Sequence, residues 1–181
     1  MPIHPGAIVI AGAALLAACA RDPQLTAYAV PETPLVVQMP QPVATTTQTS
    51  VLGGTTVTGR TYAVTFDAVQ YAVVHLPIPE PVREAIRQQP HEGMMDAAQA
   101  ELVRAAQGTV QQQVGAGLPT PTASFQGREV TLRLPGGRQV MVARLFVTDA
   151  DYFQVVVIRP AEPSYDQQLY STRFLESARL R

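Results

Sequence analysis

A lone thiol, a few imidazoles and a scatter of carboxylates among arginines are the side chains here that could do chemistry beyond folding. Cys19 is the only cysteine of the 181 residues. It follows Leu16-Ala17-Ala18, and small residues just ahead of a cysteine let an extended peptide enter a peptidase site. Farther along stand His75 and His91. Neither has a partner at metal-ligand spacing, and the chain holds no His-Glu-x-x-His or Cys-x-x-Cys. Asp149 and Asp151 form an Asp-x-Asp without the glycine and distal glutamate of a calcium loop, so they read as a turn. Glu80 and Glu84 read as solvated residues at a helix start. Glycosidic chemistry would need two such acids facing each other in a cleft. A Gly-x-Ser-x-Gly elbow is absent, and Gly53-Gly54 lacks the strand and helix of a phosphate loop. Arg128, Arg133, Arg138 and Arg144 read as a charged surface. No catalytic, cofactor-binding or metal-binding residue is expected, and the chain reads as a non-enzyme. An unrecognised hydrolase would need a cleft joining one histidine to an acid and a hydroxyl.

The elements around these residues can be read from periodicity. Thr61–Phe66 alternates, with Tyr62, Val64 and Phe66 on one face, and predicts a half-buried strand. Tyr71–Leu76 predicts a second strand, which carries His75 near a sheet edge and is closed by Pro77, Pro79 and Pro81. A short helix over 81–89 is interrupted by Pro90. Met95, Ala98, Leu102, Ala106 and Val110 recur at steps of three or four and predict one long helix over 94–113, ended by Gly115-Ala116-Gly117. Three strands follow, over 129–134, 138–146 and 152–159. The first two are joined by Leu134-Pro135-Gly136-Gly137, which suits a type II turn. The last two are apolar on both faces and are expected at the centre of the sheet. A closing helix over 166–179 carries Tyr170, Phe174 and Ala178. The expected fold is α+β, an antiparallel sheet of about five to six strands with the helices at 94–113 and 166–179 packed on it.

Composition narrows the function classes. Hydrophobic residues make up 46% and charged residues 15% of the chain, with a net charge of −1. A near-neutral balance gives no electrostatic reason to bind nucleic acid. Residues 21–59 are almost uncharged and carry Pro23, Pro31, Pro34, Pro40 and Pro42, then Thr45-Thr46-Thr47-Gln48-Thr49-Ser50. Proline withholds backbone donors and favours extended chain, so residues 19–59 read as a flexible tether, with Leu35-Val36-Val37 able to add a short strand. Residues 60–181 then form a single globular domain.

The first residues carry a resemblance. The run Ala7–Ala18 fits the apolar region of a secretory signal and is shorter than a typical membrane-spanning helix. Leu16-Ala17-Ala18-Cys19 resembles a bacterial lipobox. The resemblance implies that residues 1–18 are a cleaved signal peptide, that the sulfur of Cys19 takes a diacylglyceryl group, and that the new amine is acylated. Two or more acyl chains anchor a protein stably where one is marginal, each buried methylene contributing about 0.8 kcal/mol. The implied partner is the membrane, through Cys19. Ala20 stands where an aspartate would resemble an inner-membrane retention signal, so the outer membrane is favoured. With its thiol lipidated the mature chain can form no disulfide.

A second resemblance lies towards the carboxyl end. Gln126-Gly127-Arg128-Glu129-Val130, Ala143-Arg144-Leu145-Phe146, Tyr152-Phe153-Gln154-Val155-Val156-Val157 and Arg173-Phe174-Leu175-Glu176-Ser177-Ala178-Arg179-Leu180 are similar to a pattern in exported bacterial proteins with a PsbP-like fold. It implies an antiparallel sheet with packed helices and no activity. The expected function is a membrane-anchored envelope lipoprotein whose domain contacts an envelope protein or serves a structural role. The alternative is a periplasmic module that holds a small ligand or metal in a pocket between helix and sheet.

Overall fold

The computed structural model describes residues 24–52, 55–88 and 91–181. Their strands are β1 (Thr26–Ala29), β2 (Leu35–Met39), β3 (Ala44–Leu52), β4 (Thr55–Phe66) and β5 (Val69–Pro77). Helices α1 (Glu80–Arg87) and α2 (His91–Ala106) follow, then β6 (Thr109–Pro119), β7 (Ser124–Arg133), β8 (Gln139–Val147) and β9 (Asp151–Pro160), then α3 (Tyr165–Glu176) and β10 (Arg179–Leu180). The class is α+β with antiparallel pairing throughout. Seven strands form one sheet in the order β3-β4-β5-β9-β8-β7-β6, and β1-β2-β10 form a smaller one. The described residues thus hold ten strands, not the expected five to six.

Three segments account for the difference. Part of the expected tether is sheet: β1, β2, β3 and the first residues of β4 lie within 19–59. Its prolines sit at the bends, Pro31 and Pro34 before β2 and Pro40 and Pro42 after it. Between them Leu35, Val37 and Met39 alternate, and all three are fully buried. The β-branched threonines of β3 suit an extended strand better than a loose coil. The second segment is the expected helix over 94–113. Helix α2 ends at Ala106, Gln107 takes a left-handed φ of 51°, and β6 begins at Thr109. Val110 continues the helical stripe by coincidence of spacing, and Gly115 and Gly117 lie inside β6. The closing helix is also shorter than 166–179. It stops at Glu176, Ser177 caps it by donating its amide to Arg173 O and Phe174 O, and Arg179–Leu180 form β10 instead.

Elements pack on both faces of the large sheet. On one face Val73, Val142, Phe146, Phe153, Val155 and Val157 pack against β2 and against Phe174 and Leu175 of α3. Phe174 meets Tyr71 edge-on at 5.4 Å. On the other face Val130, Leu132, Met141, Ala143, Leu145 and Val156 pack under Met95, Ala98 and Leu102 of α2. Both faces of β8 are therefore buried, as its apolar run implies, and β9 is the middle strand of seven with β8 beside it. Each large side chain buried here contributes about 1.5–3 kcal/mol.

Local chemistry sets the connections. Leu134–Gly137 forms the expected turn, with Gly136 at φ 81° and Gly137 N donating to Leu134 O at 3.0 Å. The β4–β5 hairpin is tighter. Only Asp67 and Ala68 link the pair Phe66 and Val69, at φ 47° and 59°. Helix α3 starts with a reciprocal capping box between Ser164 and Gln167.

Candidate binding groove

Beneath the first turns of α2 the sheet is not fully covered. A groove of about 490 Å³ opens there between α2 and the β6–β7 pair. Its walls include Glu92 and Met95 of α2, Gln113 and Gly115 of β6, and Gln126 and Arg128 of β7. Gly115 lies opposite Arg128 in the strand register. A Cβ at Gly115 would meet nothing within 4 Å, so the missing side chain leaves the space open.

Arg128 is 8% exposed and is the polar centre of the groove. Its Nη1 donates to Asp96 Oδ1 at 2.7 Å and to Gln99 Oε1 at 3.0 Å. Its Nη2 lies 3.9 Å from Glu92 Oε2. Glu92, Asp96 and Gln99 are spaced by four and three, so one face of α2 brings all three to the guanidinium. The carboxylates themselves face water, with side-chain exposures of 89% for Glu92 and 70% for Asp96. The groove thus offers a pinned cation in its floor, two acids at its rim, amides from Gln113 and Gln126, and an apolar wall at Met95. Such a mixture suits binding and orientation of a ligand.

The arginines read as one charged surface are divided between the two faces. Arg128 is buried in β7 against α2. Arg144 lies on the opposite face, donating from Nε to Glu129 Oε2 at 2.7 Å and from Nη1 to Leu175 O at 2.9 Å. Arg144 therefore ties the end of α3 to the sheet. Arg133 and Arg138 are exposed, and Arg133 donates to Gly137 O at its own hairpin.

His75 is also differently placed than expected. It sits in β5, third of the seven strands, and is 7% exposed. Its Nε2 lies 2.7 Å from Asp151 Oδ1, and its ring stacks on Phe153 at 5.2 Å. Antiparallel β5–β9 pairing brings these residues together from 76 positions apart. Asp149 is exposed in the β8–β9 turn, where Thr148 Oγ1 accepts the amides of Ala150 and Asp151. His91 is the first residue of α2. Glu80 and Glu84 pair with Arg83 and Arg87 along α1. Among the described residues no three His, Cys, Asp or Glu side chains are grouped to hold a metal ion. No described helix is long and apolar enough to cross a membrane. Cys19 and the leader at 1–18 lie outside the described residues.

Further under α2, Tyr152 OH accepts from Gln154 Nε2 at 2.9 Å. Burial pushes the Tyr152 phenol well above its ordinary range, and nearby Glu101 adds to the rise, while the Gln154 bond opposes it. On the other face burial likewise raises Tyr71, helped by Asp67 and Tyr170 and opposed by Ser171. The alternative reading of the sequence expects a pocket between helix and sheet, but names none of the residues that line this groove. Its only local signal is Gly115 in a strand, which marks a close approach or an open space once β6 is known to be a strand.

No protein-family profile and no curated protein matches the chain.

Proposed function

We propose that the protein is a lipoprotein of the bacterial cell envelope, anchored through Cys19, with the outer membrane favoured over the inner. Its domain is a non-catalytic module that binds another envelope protein. Support for the anchor comes from Leu16-Ala17-Ala18-Cys19 and the apolar run before it. The likeness to exported proteins with a PsbP-like fold points the same way. The observation that carries the binding role is the groove at Arg128, which lies beside β6, an edge strand of the large sheet.

The anchor and the domain are close in the chain. Seven positions separate Cys19 from Thr26, the first residue of β1. Fully extended, they span at most roughly 25 Å. An anchored domain would therefore stay against its membrane, where a forty-residue tether would let it range far from it.

A small ligand in the same groove is the second reading. A volume of about 490 Å³ lies within the usual range for such sites. Native cells would be labelled with a fatty-acid probe, and a photocrosslinking residue placed at Val114, which is 43% exposed. The expected result is a labelled protein in the membrane fraction, loss of both properties in Cys19→Ser, and one discrete protein crosslink at Val114. Unlabelled protein overturns the anchor. A small molecule copurifying without any crosslink favours the second reading over the first.

A further inference from the structure

We infer that the outer edge of β6 accepts an extended peptide as an added strand, and that the groove takes one basic side chain from it. This rests on the reading of the domain as a protein-binding module. Strand β6 is eleven residues long, lies at the end of the seven-stranded order and contains no charged residue. Nine of its residues are exposed. Folded proteins usually guard such an edge with charge, proline or bulges, because its unpaired backbone groups template another strand. Here one bulge lies between Val110 and Gln112, near the start, and the stretch 112–117 has no comparable guard. Strand β3, at the other end of the sheet, is also uncharged, but the groove lies at β6.

The groove specifies the occupant. Alternate side chains of an added strand point towards the α2 face. One lying beside Gly115 would meet no side chain from that position and would enter the groove. There Arg128 offsets one of two exposed carboxylates, Glu92 and Asp96, so the three together carry a net negative charge. An arginine or lysine side chain complements it, with the amides of Gln113 and Gln126 near. A second copy of the chain fits less well. Antiparallel pairing of two β6 strands would put both α2 helices on one face of the joint, and their Glu92–Asp96 rims would confront each other.

The test uses the full chain in detergent with three synthetic peptides. Each alternates threonine and valine, and they differ only in a central Arg, Ala or Glu. Amide exchange and titration are both read. The expected result is slowed exchange of amides 112–117 with the Arg peptide, which binds about tenfold tighter than the Ala peptide and tighter still than the Glu peptide. Glu92→Arg should reverse the order, and its side chain is exposed enough to leave folding unchanged. Gly115→Val should weaken the Arg peptide about tenfold by filling the groove. Equal binding of all three peptides, or protection elsewhere than β6, overturns the inference. Protection before any peptide is added, by a second copy or by residues 19–23, overturns it too. A crosslink from Val114 to an envelope protein that persists after such a failure leaves the protein-binding reading standing and removes only the added strand.

Discussion

Arg128 of β7 and Asp96 of α2 meet at 2.7 Å, one buried and the other mostly in water. The two ends of the pair are therefore not equivalent. Removing the carboxylate leaves a guanidinium that cannot hydrate fully, whereas removing the guanidinium leaves an acid that can. Asp96→Ala should cost about 2 kcal/mol, and Arg128→Met, which keeps the buried stem, about 1 kcal/mol. Urea unfolding of both variants measures the difference. Equal costs would show that the pair acts as an ordinary surface contact.

Two glycines of the β6–β7 pair, Gly115 opposite Arg128 and Gly127 opposite Ala116, should respond very differently to an added side chain. A Cβ at Gly127 would lie 2.3 Å from Phe146 Cδ1 and 2.4 Å from Leu145 O. The ring could move but the backbone carbonyl could not do so cheaply. Gly127→Ala should cost about 3 kcal/mol, and trimming Phe146 should not restore it. Gly115→Ala should change stability by less than about 0.5 kcal/mol. Thermal and denaturant unfolding would check both.

The Asp67-Ala68 turn places Ala68 at φ 59°, where an L-residue with a Cβ is disfavoured. Ala68→Gly removes that cost but loosens the unfolded chain. The net effect should be a gain of about 0.5–1 kcal/mol. Loss of stability would mean that the turn is held by more than its backbone, for instance by Gln167 Nε2, which donates to Asp67 O at 2.8 Å.

Alkaline pH should destabilise the fold through Tyr71 and Tyr152. Both phenols are raised above the ordinary value of 10.0, chiefly by burial. Below pH 10 both are protonated in the folded and unfolded chain, and their contribution is fully present. Above it the unfolded chain loses protons that the folded chain retains, so stability falls by about 1.4 kcal/mol per pH unit for each tyrosine. Tyr71→Phe and Tyr152→Phe should each flatten the alkaline limb of a stability–pH curve. An unchanged slope in both would show that neither phenol stays protonated in the fold.

How far the fold was legible follows from how local each signal is. Strand β7 declares itself by alternation, because burial on a pleated sheet repeats every two residues, and β8 and β9 by apolar runs that suit a strand covered on both faces. The turn at Leu134–Gly137 is equally plain, since Gly136 occupies a φ that other residues avoid. The helical stripe Met95, Ala98, Leu102 locates α2 but not its end, because Val110 falls in phase with a helix it does not belong to. Strands β1 and β3 hide behind prolines that mark bends and behind threonines without strong hydropathy, and of β2 only the apolar Leu35-Val36-Val37 shows.

From its residues alone the chain determines an α+β class, the apolar runs of its central strands and the local pattern around Cys19, since these depend on neighbours within a few positions. Tertiary structure decided that Arg128 is buried under α2, that His75 meets Asp151, and that a groove opens at Gly115. Each depends on strand order and on where a helix crosses the sheet. Side chains 32 and 76 positions apart carry no mark of each other until backbone pairing sets them on one face.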